Sequence, residues 1–340
     1  MKKDIKNLTL GEFKIELQKL SEPSYRAKQV FHWIYKKRAN DFKEMANLPE
    51  SLRDKLGHFY YIGTIKVQEH FKSKDGTRKV LFKLSDGNFI ETVLIPSDKR
   101  ETLCLSTQVG CKYKCSFCAS GAMGFKRNLT TSEILSQALF FQHNLNHNIT
   151  NFVFMGMGEP LDNYENTSKA ILIMNNPDAM AIASRRITVS TCGIIPGIEK
   201  FKDLGIQVNL SISLHAANNK LRDKIMPINK KYPLEELVKA CEDYINKAGR
   251  IITLEYILIK GINDSIQDIK ELASIAKRLR AKVNLIPYSP ICKAPSFKPP
   301  IDKDIDIFKA QLARNSVNVT VRESKGKDIM AACGQLAGKM

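Results

Sequence analysis

The chain has 340 residues, 43% of them hydrophobic and 26% charged, enough to bury a barrel-sized core with about a hundred residues left for an accessory module. Its 53 Lys and Arg against 35 Asp and Glu leave a formal charge of +18, a field that draws a polyanion. With eight scattered cysteines, no signal peptide and no apolar run of about 18 residues, the chain reads neither as a disulfide-stapled secreted domain nor as a membrane protein. The expected compartment is the cytoplasm, and without a long amphipathic basic helix nucleic acid is a better partner than a membrane surface.

In chain order, residues 1–60 read as a basic helical accessory domain, with apolar positions at helical spacing in Phe13, Leu17 and Leu20, then Val30, Phe31 and Ile34, interrupted by Pro23 and Pro49. Tyr25, Arg26 and Trp33 in this stretch are candidates for a nucleic-acid clamp, or else part of its core. Residues 61–100 change to a period of two in GTIKVQEHF, TRKVLFKL and NFIETVLI, separated by turn signals at Lys74-Asp75-Gly76 and Asp86-Gly87. This predicts an antiparallel meander. Residues 101–340 alternate apolar strand-like runs, TLCLSTQ, NFVFMGM, RRITVSTC, VNLSISLH, RIITLEYILI and KVNLIPYS, with helical segments. Six β/α units with near-continuous apolar strands predict an α/β fold, a parallel sheet curled into a partial (β/α)6 barrel whose reactive groups sit on the loops after the strands. Lys36-Lys37-Arg38, Lys72-Ser73-Lys74 and Arg185-Arg186 are candidate phosphate contacts.

The most informative motif is CKYKCSFC, which places Cys111, Cys115 and Cys118 in one short loop. Three thiolates can grip three irons of a four-iron, four-sulfur cluster and leave the fourth iron open, whereas electron-transfer clusters and structural zinc want four ligands. Cys104 or Cys192 brought round as a fourth ligand would instead make a zinc site or an ordinary electron-transfer cluster.

Read together, ETVLIP at Glu91, CLSTQVGCKYKCSFCASG from Cys104, MGMGEPL at Met155, STCGIIP at Ser190, SLHA at Ser213, MPIN at Met226, NLIPY at Asn284 and ACGQLAG at Ala332 resemble the radical S-adenosylmethionine (SAM) methyltransferases that methylate C2 of adenine in ribosomal and transfer RNA. Carbon 2 of adenine is electron-poor and cannot attack a sulfonium methyl, so such a reaction needs radical chemistry supplied by a cofactor. The resemblance implies one cluster held by Cys111, Cys115 and Cys118, two SAM molecules consumed per turnover, 23S rRNA and transfer RNA as substrates, and an electron donor such as flavodoxin or ferredoxin.

The resemblance also implies roles residue by residue. Cys333 matches the cysteine that carries the methyl group, Cys104 the one that resolves the protein–RNA adduct through a disulfide with Cys333, and Glu91 the proton acceptor, which needs a carboxyl raised towards neutrality by desolvation. Gly158, Glu159, Ser190, Ser213, Leu214 and His215 match positions that line SAM. Ser289 stands where the family pattern has an asparagine, which puts that adenosine contact in doubt. Phe117 matches a shield for the cluster, or packs as an ordinary core ring. Cys192, Cys241 and Cys292 match no role and read as packing residues. A sister enzyme methylates C8 of the same adenine; Pro160, where that subgroup has alanine, leans to C2. A non-catalytic RNA-binding protein with a structural metal is the alternative from another class.

Overall fold

The computed structural model describes residues 2–145, 147–291 and 297–338, so Cys292 lies outside the described residues. The N-terminal helices α1 (Leu10–Lys19), α2 (Arg26–Tyr35) and α3 (Glu50–Phe59) form where the apolar spacing predicts them. Thr9 and Glu12 close a capping box on α1, each satisfying a backbone N–H that the first turn leaves free. Phe13, Leu17, Val30, Phe31, Leu52 and Leu56 interlock as their common core.

Among the described residues, one sheet of ten strands runs through the rest of the chain in sequence order. Strands β1 (Lys66–Lys72), β2 (Arg78–Lys83) and β3 (Phe89–Ser97) form the antiparallel meander, and β3 pairs antiparallel with β4 (Arg100–Cys104). From β4 onward β5 (Asn151–Phe154), β6 (Ile187–Thr191), β7 (Asn209–Ser213), β8 (Thr253–Leu258), β9 (Lys282–Pro287) and β10 (Val319–Val321) are all parallel. The six expected parallel strands are therefore present, and β10 is a seventh that periodicity did not reveal. The meander is continuous with the barrel wall through the β3–β4 ladder.

The helical module docks directly on the barrel. Lys36 donates to the Pro177 carbonyl at 2.6 Å, Arg38 to that of His143 at 3.2 Å, and Lys28 pairs with Asp178 at 3.4 Å. Part of the basic run read as phosphate contacts is thus spent on docking, whereas Arg185 and Arg186 are exposed. Tyr25 is also exposed, with Arg26 over its ring, so it is not core; Trp33 is half-buried and donates to Asn47.

Lys6 is buried at the same seam and donates to Ser136 Oγ at 2.6 Å. Burial pushes its ammonium down to about 8, partly offset by Asp4. The unfolded chain therefore binds this proton more tightly: the cost is absent above the unfolded value of 10.5, grows as pH falls, and is complete below about 8. At neutral pH it amounts to about 3 kcal/mol, against about 1 kcal/mol for the Ser136 bond. Lys6→Met is expected to stabilise the protein at pH 7 by about 1–2 kcal/mol in urea denaturation, and by less at pH 10. A loss of stability at pH 7 would refute this.

Candidate active site

The cluster-type loop is seated from three sides. It follows the short strand Gln108–Gly110, which pairs with Phe125–Asn128, and the Cys111 N–H donates to the Gly124 carbonyl at 3.1 Å. Within it the Cys118 N–H donates to the Cys115 carbonyl at 3.1 Å, and Ser116 N–H reaches the Ile225 carbonyl at 3.0 Å. Burial pushes the Cys111 thiol up to about 12 and raises Cys115 and Cys118, with neighbouring sulfurs adding to the shift at Cys111 and Cys115. Three thiols that burial holds protonated fit a site where iron displaces the protons. Among the described residues no three His, Cys, Asp or Glu side chains converge as ligands to a single ion. A cubic cluster, which takes one thiolate per iron, does not ask them to.

Beside this loop the strand ends carry the residues matched to SAM. Ser190 and Ser213 lie inside β6 and β7 and face each other, Oγ to Oγ, at 3.2 Å. Leu214 and His215 both donate their N–H to the Glu255 carbonyl, at 3.0 and 3.3 Å. His215 has φ +59°, is buried, and stands edge-on to Phe117 at 4.8 Å. Its Nδ1 accepts from the Ile257 N–H at 3.0 Å, and burial, with Arg222 nearby, pushes the ring down to about 3. The imidazole is therefore neutral with its proton on Nε2.

Gly158, at φ +95°, packs so close to Gln108 that a Cβ would lie 2.4 Å from that side chain. Glu159 is buried, its Oε1 accepting from the Leu161 N–H at 3.0 Å and its Oε2 from Cys192 at 2.7 Å; burial raises its carboxyl against those bonds. Both oxygens thus already fix local backbone. By contrast Ser289 Oγ and Glu255 Oε2 are buried without a hydrogen-bond partner among the described residues, as a polar cofactor or substrate would require.

Cys104, at the end of β4, and Cys333, in the C-terminal loop, open into one cavity of about 1140 Å³ that Cys118, Glu255 and Arg322 also line. Burial, then the neighbouring Cys333 sulfur, pushes the Cys104 thiol up to about 12. Arg322, directly after β10, is held towards its charged form chiefly by Cys333, then by Glu255 and Cys104. Its Nη1 lies 3.2 Å from Met155 Sδ. This cation was missed in the sequence because its strand is only three residues long.

The C-terminal loop is strapped to both the cluster loop and the meander. Ala119 N–H donates to the Gly334 carbonyl at 2.7 Å, and Ser120 Oγ to that of Leu336 at 2.5 Å. Gly334 has φ +83°, and a Cβ there would lie 3.0 Å from the Phe117 carbonyl. Further back the tail is tied by Gly326 N–H to Asp75 at 2.8 Å and by Ser73 Oγ to Asp328 at 2.6 Å. Glu91 does not line the cavity. It is buried in an ion pair with Lys79 at 2.8 Å and accepts from the Ala337 and Gly338 N–H groups at 2.7 and 3.0 Å. Cys192 and Cys241 are buried.

The partial barrel with a three-cysteine loop at its strand ends defines a radical SAM enzyme. The family described as Radical SAM superfamily matches residues 105–273, and the Ribosomal RNA large subunit methyltransferase N-terminal domain matches residues 3–62. "Probable dual-specificity RNA methyltransferase RlmN" of Clostridium novyi (strain NT) is 45% identical over 98% of this chain and 97% of its own length. "Dual-specificity RNA methyltransferase RlmN" of Pelobacter propionicus is 43% identical over 100% of this chain and 97% of its own. The crystal structure of a radical SAM methyltransferase from Sphaerobacter thermophilus superposes with a TM-score of 0.92 at 41% identity, covering 99% of this chain and 100% of that one. The chain belongs to the RlmN family of radical SAM RNA methyltransferases. Membership implies a four-iron, four-sulfur cluster and SAM. Among the described residues no helix is long and apolar enough to cross a membrane.

Proposed function

We propose that this enzyme methylates C2 of an adenine in 23S rRNA, and an adenine in transfer RNA anticodon loops, through a methyl group carried on Cys333. Cys111, Cys115 and Cys118 would hold the cluster, leaving one iron open to SAM. When bound, that pair supplies the methyl group from one SAM and a hydrogen-abstracting 5′-deoxyadenosyl radical from a second. Flavodoxin or ferredoxin would be the electron donor, and residues 1–60 the RNA-contacting module, with residues 61–100 and 101–340 as the meander and the barrel.

The observation that carries this reading is that Cys333, Cys104 and Cys118 line one cavity. Cys333 presents its sulfur there; after one hydrogen of its methyl group has been abstracted, that carbon bonds to adenine C2, and the adduct gives up one electron, for which the bound cofactor would be the acceptor. The proton that C2 loses goes to a base, the role the resemblance gives Glu91, which can take it only once its oxygens are released from Lys79 and from the Ala337 and Gly338 N–H groups. Cys104 then forms a disulfide with Cys333; as the sulfur–carbon bond breaks, its electrons and a proton go to the carbon, which stays on adenine as a methyl group. Arg322 offers its charge to whichever sulfur is anionic. Ser190, Ser213, Leu214 and His215 hold and orient SAM at the strand ends, with Gly158 allowing close backbone approach and Glu159 keeping the β6 loop rigid. Ser289, buried and without a hydrogen-bond partner among the described residues, takes the place of the asparagine contact.

Nucleoside mass spectrometry of 23S and transfer RNA, from cells with and without this chain, tests the reading. Loss of 2-methyladenosine is expected. An 8-methyl product would overturn the regiochemistry, and unchanged RNA would overturn the activity.

A further inference from the structure

We propose that Lys79 is a positioning residue for the methyl-carrying loop, closing a clasp with Glu91 that holds the loop on both sides of Cys333. The proposal rests on the reading of Cys333 as the methyl carrier. In the β2–β3 ladder Leu81 stands opposite Glu91, so Lys79, two residues along on the same face, is its diagonal neighbour. Lys79 Nζ lies 2.8 Å from Glu91 Oε1 and 3.2 Å from the Met330 carbonyl, with the Phe71 ring 5.1 Å away. Glu91 Oε2 takes the Ala337 and Gly338 N–H groups. The ammonium therefore anchors the loop three residues before Cys333, the carboxylate anchors it four and five residues after, and the two anchors are paired with each other.

Lys79 and Glu91 are 7% and 4% exposed, so water does not readily replace either partner, and loss of one leaves the other's charge buried without its counter-ion. Both ends of the loop then loosen together. Ala332 and Gln335 also bond to each other across Cys333, within the loop itself, whereas the Lys79–Glu91 pair ties both sides to the meander. A carboxylate awaiting a proton from the substrate is thereby also the group that fixes the carrier, and Lys79 sets the position of both without touching the reacting atoms.

The test uses the full chain with its cluster reconstituted. Lys79→Met is expected to speed amide exchange at Ala337 and Gly338 by about tenfold or more. It should lower kcat for RNA methylation by about tenfold or more while KM for RNA moves by less than about twofold, and Lys79→Arg should restore most of both effects. Lys79→Gln carries the same test if the methionine variant does not fold. Parental exchange and kcat in the variant would overturn the clasp. If peptide mass spectrometry finds no S-methyl Cys333 in the SAM-treated parent, the carrier reading fails, and the exchange data still report separately on the clasp.

Discussion

Cys104→Ala is expected to take the methyl group onto Cys333, react with RNA, and then stall with the RNA covalently attached. Released product should fall by about a hundredfold or more, because the other cysteine beside Cys333 in the cavity, Cys118, would be engaged as a cluster ligand. Denaturing gels and mass spectrometry of the peptide containing Cys333 read the adduct directly. Clean turnover by the variant would remove Cys104 from the mechanism. The parent carries a related pH dependence. Its Cys104 thiol is raised to about 12, so only a small fraction is thiolate at neutral pH, while Arg322 works in the opposite direction. Where resolution limits turnover, the rate should climb by about tenfold per pH unit between 7 and 9, the direction expected for a nucleophile that must first lose its proton. A flat profile in single-turnover release would show that the thiol is deprotonated by other means.

Arg222→Leu should cost about 3–5 kcal/mol of folding stability, because it leaves several buried acceptors without their charged donor. Arg222 is 0% exposed on the short helix Asn219–Ile225. Its Nε donates to the Leu214 carbonyl at 3.1 Å, Nη1 to Asn229 Oδ1 at 2.9 Å, and Nη2 to the carbonyls of Cys192 and Ser213 at 2.8 and 3.3 Å. It thus ties the ends of β6 and β7 to a helix whose last residue, Ile225, accepts from Ser116 in the cluster loop. None of these direct partners is a carboxylate; Asp223 is reached only through Asn229. Urea denaturation of the apoprotein measures the loss, and iron retained per chain after reconstitution should fall in parallel. A change below about 1 kcal/mol would refute the role. Lysine, with one charged tip for four acceptors, should recover less than half.

The residues explain which parts of this architecture were legible in the sequence. Strands β4 to β9 announced themselves because parallel strands covered on both faces must be apolar along their length, as in Phe152, Val153 and Phe154. The meander showed because its turns carry Gly76 and Gly87 at positive φ, 85° and 82°. The cluster loop was legible from cysteine spacing alone. Arg222 was not, since an arginine on a seven-residue helix reads as a surface residue until its four acceptors, all of them off that helix, are seen. Lys79 and Glu91 were separated in sequence, and only the hairpin register makes them neighbours. Glu91 was expected to face the base pocket, but a lysine and two backbone donors occupy its oxygens.

The sheet order leaves β1 and β10 as its two edges, so backbone pairing does not close the barrel among the described residues. Directly after β10 the chain crosses to the turn beside β1, where Asp75 and Ser73 receive it, and continues along the meander to Glu91. The segment bearing Cys333 is thus itself part of the barrel's wall, a seam sewn by side chains where the other joints are ladders. On the proposed reading of Cys333 as carrier, its freedom to move and the exclusion of solvent from the cavity both depend on the same few stitches. Variants that loosen the seam should lose SAM to abortive cleavage without RNA methylation before they lose the fold.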